Sequence, residues 1–208
     1  MSIEILISFC LASAALAVSP GPDNIFVLVQ SLTYGRKSGI AIVCGLISGC
    51  IVHTTLVAFG AAALIKANDN LFLVLKLLGA AYMLYLAFKV YRGPDKLELK
   101  AEDIRRQNFS GLFKTGFIMN VINPKVSIFF LAFFPGFLFS ETMGTVTQFY
   151  ILGFLFMAVS FVIFSAIALL AGTISEYTNS HPGIGKVFKW MQIIVFLLIG
   201  LLILLSEK

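Results

Sequence analysis

Charge is what this sequence has least of: Lys, Arg, Asp and Glu make up 12% of its 208 residues, against 59% apolar residues. With a mean hydropathy of +0.98, the chain carries more apolar surface than one soluble core can bury, so the excess must face lipid. Cysteine is sparse as well. Cys10, Cys44 and Cys50 all lie in apolar stretches of the first half, and residues 105–208 contain none. A membrane thiol-disulfide carrier needs a cysteine in each half to pass electrons, so that class is excluded and the three thiols read as small packing residues. Only His53 and these cysteines offer soft or imidazole ligands inside apolar segments, too few to favour a metal-ion exporter. A positive n-region is missing too: Met1-Ser2-Ile3-Glu4 precedes the first apolar run. Ala15-Leu16-Ala17 is therefore expected to belong to a retained first helix, not to a signal-peptidase site.

What is present is a succession of apolar stretches near the roughly 20 residues that a spanning helix needs. They predict an all-α integral membrane protein of one domain, residues 1–208, with six spans near 4–33, 39–65, 71–91, 111–135, 146–173 and 187–206. Tyr34-Gly35-Arg36-Lys37, residues 66–70 and Gly93-Pro94-Asp95 supply the turn signals between the first spans. With six spans, 11 of the 15 basic residues fall on one side, which predicts a cytoplasmic 93–110 loop and both termini outside. The net charge of +5 then sets orientation and gives no cause to expect nucleic acid. The mixed charges of the 93–110 loop read as a solvated linker. Tyr34, Tyr91, Tyr177 and Trp190 sit near span ends, as interfacial anchors do.

Two interruptions carry most of the information. Ser19-Pro20-Gly21-Pro22-Asp23-Asn24 falls near the middle of the first span, and Asn120-Val121-Ile122-Asn123-Pro124-Lys125 near the middle of the fourth. Each proline removes a backbone donor and breaks the helix, and freed carbonyls are tolerated at that depth only against protein or a water-filled cavity. Either break alone reads as a kink. Together, Pro22 and Pro124 are 124 − 22 = 102 residues apart, against half a chain of 104. That spacing predicts an internal duplication of about 1–92 and 111–208 around the 93–110 linker. Three spans per copy make the two repeats inverted, the pattern of secondary transporters.

Asp23 and Lys125 follow Pro22 and Pro124 directly, in matching positions with opposite sign. Each charge at a helix centre costs about 2.5–3.5 kcal/mol on an insertion scale unless it is paired or hydrated. Asp23 suits the positive N-terminus of the half-helix that restarts after its break, a purely structural role. Lys125 at the same kind of terminus needs an anion, either Asp23 or a bound carboxylate. Asn24, Asn120 and Asn123 either repair freed backbone or contact a zwitterion. His53, mid-span and followed by Thr54 and Thr55, is either a proton relay or an interhelical hydrogen-bonding residue. Gly45-Leu46-Ile47-Ser48-Gly49 is a G-x-x-x-G for close helix packing. Phe129, Phe130, Phe133, Phe134, Phe137 and Phe139 are expected to be lipid-facing or core, not a ligand box.

At Pro20-Gly21-Pro22 and Asn123-Pro124-Lys125 the sequence resembles the LysE/RhtB family of bacterial amino-acid exporters, small six-span proteins with P-G-P in the first helix and N-P-K in the fourth. The resemblance covers the whole chain, including its length, the charged central loop and a second span beginning after Gly35-Arg36-Lys37. It implies proton-driven efflux of amino acids or close derivatives across the bacterial cytoplasmic (inner) membrane, with no enzymatic activity and no cofactor or metal. Expected partners are the substrate, protons and membrane lipid, with homo-oligomers compatible. The alternatives are a metal-ion exporter of the same superfamily and a passive channel or scaffold, for which the breaks serve packing or pore lining alone.

Overall fold

The computed structural model describes residues 3–61, 69–93, 107–181 and 183–205. Among these residues every regular element is helical. The chain runs through α1 (Ile3–Val18), α2 (Pro22–Tyr34), α3 (Arg36–Leu56, continued by a π turn at Val57–Ala61), α4 (Asp69–Arg92) and α5 (Phe109–Val121). It continues through α6 (Pro124–Ile128, prolonged by wide and tight turns to Phe137), α7 (Thr145–Leu169), α8 (Ala171–Ser180) and α9 (Ile184–Leu205). Four helices are long and apolar enough to cross a membrane. The pairs α1–α2 and α5–α6, bent by 59° and 49°, bring the total to as many as six spans. The broken helices are the first and the fourth, as the two proline motifs predict.

Local chemistry explains the boundaries. Pro22 and Pro124 each occupy the first turn of the helix they start, where the missing N–H has no intrahelical partner to lose. Asn108 caps α5 by accepting from the Gly111 N–H at 2.8 Å. Gly35, at φ +87°, makes the one-residue reversal between α2 and α3, a conformation that costs glycine nothing. In the first bent pair, Phe9 on α1 lies against Phe133, Phe134 and Phe137 at the far end of α6, whereas α2 ends at the turn into α3.

The expected fifth span, to residue 173, instead ends at Leu169, and α8 follows as a separate short helix. Gly172, Thr173, Ser175 and Glu176 make that segment too polar to prolong an apolar crossing. The Phe run also differs from a lipid-facing stripe, since all six rings are buried. Phe129 stacks on Phe133 at 4.6 Å and Phe130 on Phe134 at 4.1 Å, with Phe9 and Phe156 closing the cluster edge-on. All eight charges of the 93–110 linker, residues 62–68 with Lys66, and Lys208 lie outside the described residues.

Packing depends on absent side chains at one seam. A Cβ on Gly45 of α3 would overlap the Phe113 carbonyl of α5, and one on Gly116 of α5 would overlap the Ile42 carbonyl of α3. The G-x-x-x-G is thus a packing motif; its second glycine, Gly49, makes room for Asn120. Elsewhere α9 packs along α4, where Trp190 meets Tyr91 edge-on at 6.3 Å and Lys189 Nζ donates to the Gly93 carbonyl at 2.7 Å. Span two packs on span four and span five on span one, while two meets five and three meets six. Exchanging spans one to three with four to six leaves this set of contacts unchanged.

Candidate functional site

A helix leaves its last four carbonyls without intrahelical donors, and α1 ends in the apolar interior. Ser19 N–H donates to the Ala15 carbonyl at 3.0 Å. Asn24 Nδ2 donates to the Ala17 carbonyl at 2.7 Å. Lys125 Nζ, from the other break, donates to the carbonyls of Leu16 at 3.1 Å and Ser19 at 3.2 Å. Lys125 therefore sits at the negative end of the α1 dipole, and backbone oxygens are the anion its position requires. Its ammonium lies beside Gly21, where a Cβ would stand 3.8 Å away, and 5.5 Å from the Phe196 ring centre on α9.

Asp23, 8% exposed, lies in the first turn of α2. Asn123 Nδ2 donates to its carboxylate at 2.8 Å, while Asn123 Oδ1 accepts from the Lys125 N–H at 3.0 Å and so caps α6. One amide thus joins the two breaks, and the opposite charges of Asp23 and Lys125 act on each other across it. Both structural roles read from the sequence, Asp23 at a helix N-terminus and asparagines repairing backbone, are present. At the second break the Asn120 carbonyl accepts from the Asn123 N–H and from His53 Nε2, both at 3.0 Å. Because a carbonyl only accepts, His53 carries its hydrogen on Nε2. His53 faces a separate pocket of about 100 Å³ with Ser127 and Phe130.

Between the breaks lies a cavity of about 20 Å³, lined by Asp23, Asn24, Asn120, Lys125 and Ser160, with Leu16, Val126, Phe156 and Phe164 as apolar walls. It has room for a water and not for an amino acid. Among the described residues, Asn120 Oδ1 and Ser160 Oγ are buried and have no hydrogen-bond partner. The structure places Asp23, Asn24, Asn120 and Lys125 together at this cavity and His53 at the neighbouring pocket. Pro20 lies on the opposite side of Asn24, in an apolar chamber. Ser160 was missed; its signal is a hydroxyl halfway along an otherwise apolar span.

Asn123→Ala should lower stability by about 0.5–2 kcal/mol, the usual range for a lost cap, and should also impair transport by releasing Asp23. Asn108→Ala removes a cap far from the breaks and should cost a similar amount of stability while leaving transport intact. Thermal unfolding in detergent and flux in vesicles, measured on both, separate the two roles. Equal flux in the two variants would reduce Asn123 to a cap.

A family model described as LysE type translocator matches residues 14–207. The chain is 29% identical over 180 residues to leucine efflux proteins of Salmonella choleraesuis (strain SC-B67), Salmonella typhimurium (strain LT2) and Salmonella typhi, covering 86% of this chain and 85% of each relative. No solved structure matches it.

Proposed function

This chain belongs to the LysE type translocator family, and from that premise we propose that it exports amino acids or close derivatives across the bacterial inner membrane by proton-coupled alternating access. The observation that carries the reading is the meeting of two broken helices at one small polar cavity holding Asp23 and Lys125. Two inverted repeats rocking about such a site form the secondary-transport pattern, and the exchange-symmetric contacts of the six spans support it. The relatives' names make a neutral aliphatic amino acid the first substrate to test. The basic residues support a cytoplasmic 93–110 linker, with both termini outside.

In the mechanism, the substrate carboxylate takes Lys125 from the carbonyls of Leu16 and Ser19, and the freed carbonyls with Asp23 receive the ammonium. Asn120 and Ser160 supply further hydrogen bonds. A proton reaching Asp23 from outside then removes the charge that held the ammonium and releases the substrate. The decisive assay compares intracellular amino-acid accumulation in cells with and without the protein, followed by substrate-dependent proton flux in vesicles. Asp23→Asn, fixed in the neutral state, should bind substrate more weakly and lose the dependence of export on the proton gradient. Export by Asp23→Asn that still follows the gradient would remove Asp23 from coupling, and a protein that changes no amino-acid pool would end the assignment.

A further inference from the structure

On the other side of Asn24 from the polar cavity lies an apolar chamber of about 220 Å³. Val18 and Pro20 at the break, Ile25 and Leu28 on α2, Ile174 on α8 and Phe188 on α9 form its walls, with the Thr178 hydroxyl the one other polar side chain besides Asn24. It is smaller than the roughly 300–1,000 Å³ typical of sites for drug-sized ligands and suits a short branched hydrocarbon. Asn24 lines both spaces, and its side chain is held by a 2.7 Å bond to the Ala17 carbonyl.

Two walls of the chamber, α2 and Phe188, lead toward the end of the molecule where α4 finishes beside Gly93. Phe188 precedes Lys189, which bonds the carbonyl of Gly93 at the end of α4, and α2 leads away from the break toward the same end. The short helix α8 overlies this side. A polar cavity holding one carboxylate and one ammonium, joined through one amide to an apolar chamber, has the two-part chemistry of an amino acid: a zwitterionic head and a hydrocarbon tail.

We infer that the chamber is the subsite for the substrate's hydrocarbon side chain, entered from the linker side, with Asn24 as the movable partition to the polar cavity. The inference rests on the amino-acid export proposed above and adds the feature that selects among amino acids. Leu28, 6% exposed, and Phe188, the bulkiest lining residue, are two of its walls. Enlarging Leu28 should therefore exclude long side chains, and shortening Phe188 should admit larger ones.

The test measures export of alanine, leucine and phenylalanine by the full chain, by Leu28→Trp and by Phe188→Ala, each normalised to its amount in the membrane. Leu28→Trp should lower the leucine-to-alanine export ratio about tenfold or more, and Phe188→Ala should raise the phenylalanine-to-leucine ratio by a similar factor, the scale set by a misfit in an apolar pocket. Should Leu28→Trp fail to reach the membrane, the opposite shift expected of Phe188→Ala decides alone. Ratios unchanged in variants that still export would overturn the subsite, and loss of a co-purifying acyl chain from Leu28→Trp under unchanged ratios would assign the chamber to lipid. A wild-type chain that exports none of the three would instead overturn the export reading beneath it, a result distinct from unchanged ratios.

Discussion

Lys125→Met should reach the membrane yet export at least about a hundredfold less than the parent chain, as two independent losses require. Its ammonium donates to the carbonyls of Leu16 and Ser19, and an unpaired buried polar group costs about 1–3 kcal/mol. Asp23 would also lose the attraction of a nearby cation. With each 1.36 kcal/mol worth a factor of ten in rate, the hundredfold drop corresponds to about 2.7 kcal/mol. Neutralising both partners tells stability from transport. Lys125→Met combined with Asp23→Asn removes the stranded charge, so thermal stability should recover toward that of the parent while export stays absent. Parental export by Lys125→Met, at equal membrane level, would show that the ammonium serves the fold alone.

The largest effect on stability is expected at Gly45. Valine there should prevent accumulation of folded protein, because even a bare Cβ would overlap the Phe113 carbonyl and neither backbone has a side chain to move aside. Overpacking typically costs about 1–3 kcal/mol where side chains can shift, and backbone against backbone lies at or beyond the top of that range. Gly60 is the internal comparison, since a Cβ there meets nothing within 4 Å; substitution at that position should stay within about 0.5 kcal/mol. Detergent-extracted yield and unfolding temperature report both. Comparable yields for Gly45→Val and Gly60→Val would mean that α3 and α5 are not held this closely.

What could be read from the chain and what could not divide along a physical line. Prolines announce a broken helix wherever they stand, so Pro20-Gly21-Pro22 and Asn123-Pro124 located both interruptions. Gly45 with Gly49 declared a close crossing. The partners of Lys125 were illegible, because the groups it binds are the carbonyls of Leu16 and Ser19. Every residue has a carbonyl, and only the bend decides which are free. For the same reason the sequence could not say that Asn123 would serve both breaks at once. The helix α8 escaped notice because its few apolar residues carry no periodic signal strong enough to separate it from the span before it. The phenylalanines looked equally suited to lipid or core, a choice made by the neighbours Phe9 and Phe156 and not by the run itself.

The seam between α3 and α5 also limits how the molecule can rearrange. Where two backbones touch without intervening side chains, no rotamers are available to reshuffle, and sliding by a fraction of a turn would drive Phe113 or Ile42 into the neighbouring helix. That crossing acts as a fulcrum: it can tilt but cannot shear. Displacement must therefore grow with distance from it, toward α4 and α9, which pack mainly on each other.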